Sequence, residues 1–315
     1  MTEIISNKLN PNVLPHLDIW TWDVALYLFL GGLSGGLLIL TSGKLLLQSG
    51  GLLHPKAPPR DPGLSLQVAA LLAPVLLGLG MLFLFLDLEL KLHVWRFYTN
   101  FNPTSPMSWG SWMLLGFFPL SGLQALIVCR SWFSSVPLLQ RLADQAMPYR
   151  NALAVANVHL GAGIGVYTGI LLSTFYARPL WSSSVLGFVF LFSGLSSAAA
   201  VLTLLSSEEE RLGHAQLMAY AMAMEGFALT MYLVGGLTST GSSRSAMWEL
   251  VAGGHAPWFW LLDVVGGLLV PLLLITLIAL RKVTYAPLVP ILTLLGSLSL
   301  RFLIVGAGQA ISTIS

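Results

Sequence analysis

From residue 20 onward the chain alternates long apolar stretches with short polar clusters, and eight stretches stand out at 20–47, 64–90, 108–130, 151–177, 184–206, 212–236, 257–280 and 287–310. At about 1.5 Å per helical residue, each is long enough to cross a hydrocarbon layer of roughly 30 Å. The pattern predicts an all-α integral membrane protein with eight transmembrane helices, folded as a single membrane domain over 1–315 behind a polar tail at 1–19. The first stretch carries no charge between Asp23 and Lys44, with Trp20 and Trp22 suited to one interface and Lys44 able to snorkel to the other. Gly31, Gly32, Ser34, Gly35 and Gly36 give it a small-residue face, which in lipid is where helices approach closely.

An even number of spans leaves both termini on one side. Lys44, Lys56, Arg60, Arg130, Arg141, Arg150, Arg211, Arg281 and Lys282 fall on the side of the odd-numbered loops, against Lys8, Lys91, Arg96, Arg178 and Arg244 on the other. The positive-inside rule then places the odd loops in the cytoplasm and both termini in the periplasm. The stretch Tyr27-Leu-Phe-Leu-Gly-Gly-Leu-Ser-Gly of the first span is echoed by Val189-Phe-Leu-Phe-Ser-Gly-Leu-Ser-Ser in the fifth. That offset suggests two four-helix bundles related by a parallel repeat, although small residues recur in any packed span.

Composition narrows the chemistry. The chain is 56% hydrophobic and 9% charged, far below the roughly 25% charge of soluble domains, so most of it faces lipid or other helices. The polar tail ahead of the first span argues against a cleaved signal peptide. One cysteine, Cys129, excludes an intrachain disulphide, a four-thiolate cluster and a cysteine-rich zinc site within the chain, so any such centre belongs to a partner. A net charge of +2 without a basic stripe gives no sign of nucleic acid. Haem held between helices needs facing histidines at matched depth. Only His159 lies well inside a span, His16, His54, His93, His214 and His255 being at span ends or in loops, so neither haem nor another metal is expected.

Polar and aromatic residues gather toward the outer ends of the helices: Trp20, Trp22, Asp23 and Tyr27 in the first span, Asp87, Glu89, His93 and Trp95 closing the second, and Trp109 and Trp112 opening the third. Tyr167, Tyr176 and Arg178 follow in the fourth, Asp263 in the seventh, and Arg301 with Gln309 in the eighth. Aromatic belts account for many of the tryptophans. Ionisable groups in hydrocarbon cost several kcal/mol unless paired or solvated, so Asp87, Glu225, Asp263 and Arg301 are functional candidates, with a structural helix-to-helix ion pair as the competing reading. His159, near Asn157, reads as a hydrogen-bonded packing residue or part of a polar track with Glu225.

Several motifs together resemble the NrfD/PsrC family: Trp20-x-Trp-x-x-Ala-Leu-Tyr-Leu-Phe-Leu-x-Gly-Leu-Ser-x-Gly, Ser105-Pro-Met-Ser-Trp-Gly-Ser-Trp, Tyr167-Thr-Gly-Ile-Leu-Leu-Ser, Arg178-Pro-Leu-Trp, Leu191-Phe-Ser-Gly-Leu-Ser-Ser and Leu300-Arg-Phe-x-x-x-x-Ala-Gly-Gln. The similarity runs in order over nearly the whole chain. It implies a haem-free, eight-helix subunit of the bacterial or archaeal inner membrane that binds menaquinone or ubiquinone. Its implied partners are a ferredoxin-like four-cluster iron–sulphur subunit and a molybdopterin or other catalytic subunit on the outer face. Under the resemblance Tyr167 matches the family's pocket tyrosine. Tyr27 stands where the polysulphide-reductase branch has a histidine, and Trp22 and Arg178 complete the candidate quinone-binding set. Asp87, Glu225 and His159 are candidates for proton transfer, while Asp263, Arg301, Gln309 and Trp109 are pocket-lining or structural. The rival class is a secondary transporter, suggested by the internal echo and the intramembrane charge. A neighbouring gene for a cysteine-rich ferredoxin-like protein separates the two.

Overall fold

The computed structural model describes residues 20–48, 62–88, 90–175, 178–239 and 241–310. The tail 1–19, His54, Lys56 and Arg60 of the first connector, Glu89 and Tyr176 lie outside the described residues. Among the described residues, eight helices are long and apolar enough to cross a membrane. In chain order they are α1 (Trp22–Gln48), α2 (Leu64–Asp87), α3 (Pro106–Val128), α4 (Arg150–Ser173), α5 (Leu186–Leu205), α6 (Glu208–Leu237), α7 (Ala256–Ala279) and α8 (Leu288–Ala310). The described residues contain no β-strand. We call the side on which α1 begins and α8 ends the termini side.

Local chemistry sets several boundaries. Prolines at the first turn open α3, the helix Pro137–Ala146 and α7, where a missing N–H costs nothing. The second apolar stretch stops as helix at Asp87, because Leu88 turns extended. The chain then forms a strap that includes the short helix Arg96–Thr99 and leads into α3. A second element that hydropathy did not single out is Pro137–Ala146, between α3 and α4. Its Ala143 is buried while Leu138 and Leu142 stay exposed. In α7 the stretch Phe259–Leu269 is π-helical, a widened form found mostly at special sites.

The helices pack as two rings with the same order of neighbours. In one, α1 touches α2 and α4 while α3 touches α2 and α4; in the other, α5 touches α6 and α8 while α7 touches α6 and α8. The rings meet chiefly where α1 lies on α5, with α4 also on α5 and α1 on α8. The glycine stripe of α1 makes this possible. A Cβ at Gly36 would meet the Gly194 backbone and come within 2.9 Å of the Ala198 Cβ, and one at Gly35 would come within 2.7 Å of the Gly161 carbonyl oxygen. Backbones therefore touch, which is how helices associate where lipid is as apolar as leucine. Gly32 and Gly194, matched positions of the two echoing stretches, face each other across this contact.

Polar contacts tie the rings at both ends. On the side away from the termini, Lys44 donates to Glu210 Oε1 at 2.8 Å and lies 3.4 Å from His214 Nε2, and Ser65 donates to Glu210 Oε2 at 3.0 Å. On the termini side, the Trp20 N–H donates to Gln309 Oε1 at 2.8 Å and the Gln309 amide returns a bond to the Trp20 carbonyl at 2.7 Å. The start of α1 is thereby clamped to the end of α8. Arg178 donates to the Gln309 carbonyl at 2.6 Å, and the Trp181 indole, seated against Gly308, donates to the Ile304 carbonyl at 2.7 Å.

Candidate functional site

A cavity of about 280 Å³ opens at the termini side of the first ring, between the start of α1, the end of α2, the start of α3, the end of α4 and the strap. Tyr27, Tyr98 and Tyr167 reach it, with Ser111 and Asp87; the remaining walls are apolar, including Met81, Leu84, Phe85, Phe97 and Met107. Two glycines seat the phenols. A Cβ at Gly110 of α3 would collide with the ring end and hydroxyl of Tyr167. A Cβ at Gly80 of α2 would lie 3.5 Å from Tyr27 Cδ2 and 3.3 Å from the Leu30 Cβ. The sequence Ser108-Trp-Gly-Ser-Trp therefore has a structural meaning: its glycine admits Tyr167. Its serines hold the strap, Ser111 donating to the Phe97 carbonyl at 2.7 Å and Ser108 accepting from the Asn102 N–H at 2.9 Å.

Among the described residues, no hydrogen bond engages the hydroxyls of Tyr27, Tyr98 or Tyr167 or the carboxyl of Asp87, so their polar atoms remain available to a ligand. Partial burial raises the Tyr98 phenol above its ordinary pKa of 10, which keeps it a protonated donor at neutral pH. The arrangement suits a flat, largely apolar molecule with acceptor atoms at its edge: several O–H donors, one carboxyl at the rim and hydrocarbon elsewhere.

The other candidates sort by where helix rotation puts them. Trp22 is exposed and packs edge-on to Phe83, and Trp109 is exposed with its indole bonded to the Pro103 carbonyl at 2.7 Å; neither lines the cavity. Arg178 and Gln309 belong to the clamp that holds Trp20, and Trp20 itself is a cavity wall. His159 is on an exposed face of α4, its Nδ1 2.8 Å from the Val155 carbonyl oxygen. It is not brought together with Glu225, which is buried on α6 in the second ring. Tyr98 and Ser111 are cavity residues that sequence reasoning missed. Tyr98 sits in a charged stretch that reads as a helix end, and Ser111 in a motif noticed for its tryptophans.

A second polar cluster lies within the other ring. Arg301, fully buried, donates to Ser193 Oγ, to Ser297 Oγ at 2.8 Å, to the Ser297 carbonyl at 3.0 Å and to the Phe190 carbonyl at 3.0 Å. Its guanidinium carbon stands 4.8 Å over the Phe190 ring. Glu225 accepts from Ser196 at 2.8 Å. Asp263, in the π-helical stretch, keeps Oδ2 without a hydrogen-bond partner among the described residues, as does Nε of Arg301. The ion pairs within 4.0 Å among the described residues are Lys44–Glu210 and Arg130–Asp144, so Arg301 is held by hydroxyls and carbonyls and not by a direct salt bridge.

The family model described as polysulphide reductase, NrfD, matches residues 9–313. The chain belongs to the NrfD family. Similar curated proteins include a polysulfide reductase chain from Wolinella succinogenes, 31% identical over 92% of this chain and 94% of the relative, and protein NrfD of Escherichia coli, 30% identical over 92% and 95%. A tetrathionate reductase subunit from Salmonella typhimurium is 32% identical over 37% of this chain and 32% of its own length. The NrfD motifs quoted above fall on the cavity (Tyr27, Gly110, Tyr167), on the clamp (Arg178, Trp181, Gly308, Gln309) and on the ring-to-ring contact (Gly32, Gly194). The eight spans and the family together make this a multi-pass membrane protein.

Proposed function

We propose that the chain is the membrane subunit of a respiratory reductase complex and that its cavity binds a quinone or quinol, exchanging electrons between the quinone pool and an iron–sulphur partner. The relatives named for polysulfide and tetrathionate reductases support the reading of a reductase-complex subunit. The observation that carries the quinone is the cavity itself, an apolar slot in the membrane domain with the phenols of Tyr27, Tyr98 and Tyr167 unengaged by other described residues. A bound quinol supplies two electrons and two protons. The phenols serve as donors to its oxygens, and their rings with Met81 and Leu84 line the plane of the ring system. Asp87, at the cavity edge, is the group placed to take up or return a proton.

The charge bias of the loops supports a cavity at the outer face of an inner membrane. There it meets a ferredoxin-like four-cluster subunit and, beyond that, a molybdopterin or other catalytic subunit. Among the described residues, no hydrogen bond joins the side chains of Tyr27, Tyr98, Tyr167 or Asp87 to a polar group deeper in the first ring. Thr41, Ser42, Gln124 and Asn157 form a hydrogen-bonded group in its other half, but buried Leu33, Leu77, Leu114, Phe117 and Ile164 form an apolar cluster in the same ring. An inward proton route, if the complex moves protons, runs instead through Glu225, Asp263 and Arg301 in the second ring. The unpartnered atoms of Asp263 and Arg301 also carry the rival reading, a transporter with a polar intramembrane site.

Binding of naphthoquinone and benzoquinone to the purified chain in lipid nanodiscs tests the proposal. Tyr167→Phe keeps the ring and removes one donor, so affinity should fall by about 1 to 2 kcal/mol. Saturable binding in the wild type that weakens in Tyr27→Phe and Tyr167→Phe supports the site. Equal affinity in both variants refutes it.

A further inference from the structure

The cavity is closed on most sides. Val24, Leu28 and Leu172 are buried, and Trp20, stacked on Trp181 at 4.9 Å and edge-on to Phe175, shuts the flank toward the second ring. The lining residues that are exposed are Phe85 at the end of α2, Phe97 in the strap and Met107 at the start of α3. All three are apolar, and because they are the exposed part of the lining, the opening is assigned between the end of α2, the strap and the start of α3.

The strap is fastened on one side of that opening. Ser111 bonds the Phe97 carbonyl, Ser108 bonds the backbone at Asn100 and Asn102, and the Trp109 indole bonds the Pro103 carbonyl, so strap and α3 form one unit. Across the opening, no hydrogen bond joins the described residues of α2's last turns to the strap. A seam held by apolar side chains separates without stranding a donor or acceptor in lipid, whereas a hydrogen-bonded seam does not.

We infer that this seam is a lateral port: a prenylated quinone enters from the bilayer between α2 and the strap–α3 unit, and the first isoprenoid units of its tail stay lodged among Phe85, Phe97 and Met107. The inference rests on the quinone reading of the cavity and adds the route and the seat of the tail. The chemistry matches at both ends, since the phenols lie within and the exposed lining side chains, Phe85, Phe97 and Met107, are hydrocarbon. A tail leaving here passes directly into acyl chains and never crosses water, which a long polyprenyl chain disfavours at about 0.8 kcal/mol per CH₂.

The test is photo-crosslinking in nanodiscs with a naphthoquinone whose alkyl tail carries a diazirine close to the ring. Label that a tail-less naphthoquinone competes away, mapped by peptide mass spectrometry to Phe85, Phe97 or Met107, is the expected result. Competable label on α1, α4 or α8 instead leaves the quinone site standing and overturns the port. No competable label and no saturable binding overturns the quinone reading and the port with it. As a second measurement, Met107→Trp should weaken the tailed probe about tenfold more than the tail-less one. An equal loss for both places the tail elsewhere.

Discussion

Gly110→Ala isolates the seat of Tyr167. The added methyl would overlap the Cζ, Cε1 and hydroxyl of that ring, so the two cannot coexist as they stand. The obstacle is the far end of a side chain beside a cavity of about 280 Å³, so the ring has somewhere to go. Overpacking of this kind costs roughly 1–3 kcal/mol when it cannot relax. Here it relaxes by pushing the phenol into the ligand's space, while alanine returns up to about 1 kcal/mol of helix propensity. The expected outcome is thus a folded protein with near wild-type thermal stability and naphthoquinone binding weakened by a factor between about 5 and 150. Gly122→Ala, on the same helix with nothing within 4 Å of the new methyl, is the control and should bind as wild type with equal or slightly higher stability. The assay is equilibrium quinone titration in nanodiscs beside thermal unfolding of both variants. If Gly110→Ala binds like Gly122→Ala, the Tyr167 ring does not shape the ligand site.

Gly36→Ala meets backbone at Gly194 that cannot swing aside, so it should lower stability by roughly 2–3 kcal/mol, read as a shifted unfolding midpoint in detergent; an unshifted midpoint would contradict the close α1–α5 contact. A reporter active only outside the cytoplasm should work when fused after Ser315 and fail within 131–145, and the reverse would put the cavity on the cytoplasmic face. Glu225→Gln retains an acceptor for Ser196 but removes a titrating group; if the second ring relays protons, the proton-to-electron ratio of the reconstituted complex should fall while quinone affinity holds, and an unaltered ratio would rule that route out.

The eight spans and the glycine stripe of α1 were legible in the chain because the bilayer imposes them on each segment separately. A run such as 24–43 must be apolar and helical whatever it packs on, and small residues mark where backbones can meet. The family motifs were legible too, but not what each residue does. In lipid the face toward the bilayer and the face toward neighbouring helices are both apolar, so hydropathy does not report how a helix is rotated. Trp109 and Gly110 are adjacent in one motif, yet the indole faces outward and the glycine seats Tyr167. His159 and Arg301 both read as intramembrane polar residues, yet one is exposed and the other has no exposed surface. Tyr98 enters the cavity only because Ser108 and Ser111 fold the strap back onto α3. Rotation, tilt and the path of a connector are set by side chains meeting from different helices, and only the tertiary structure decides them.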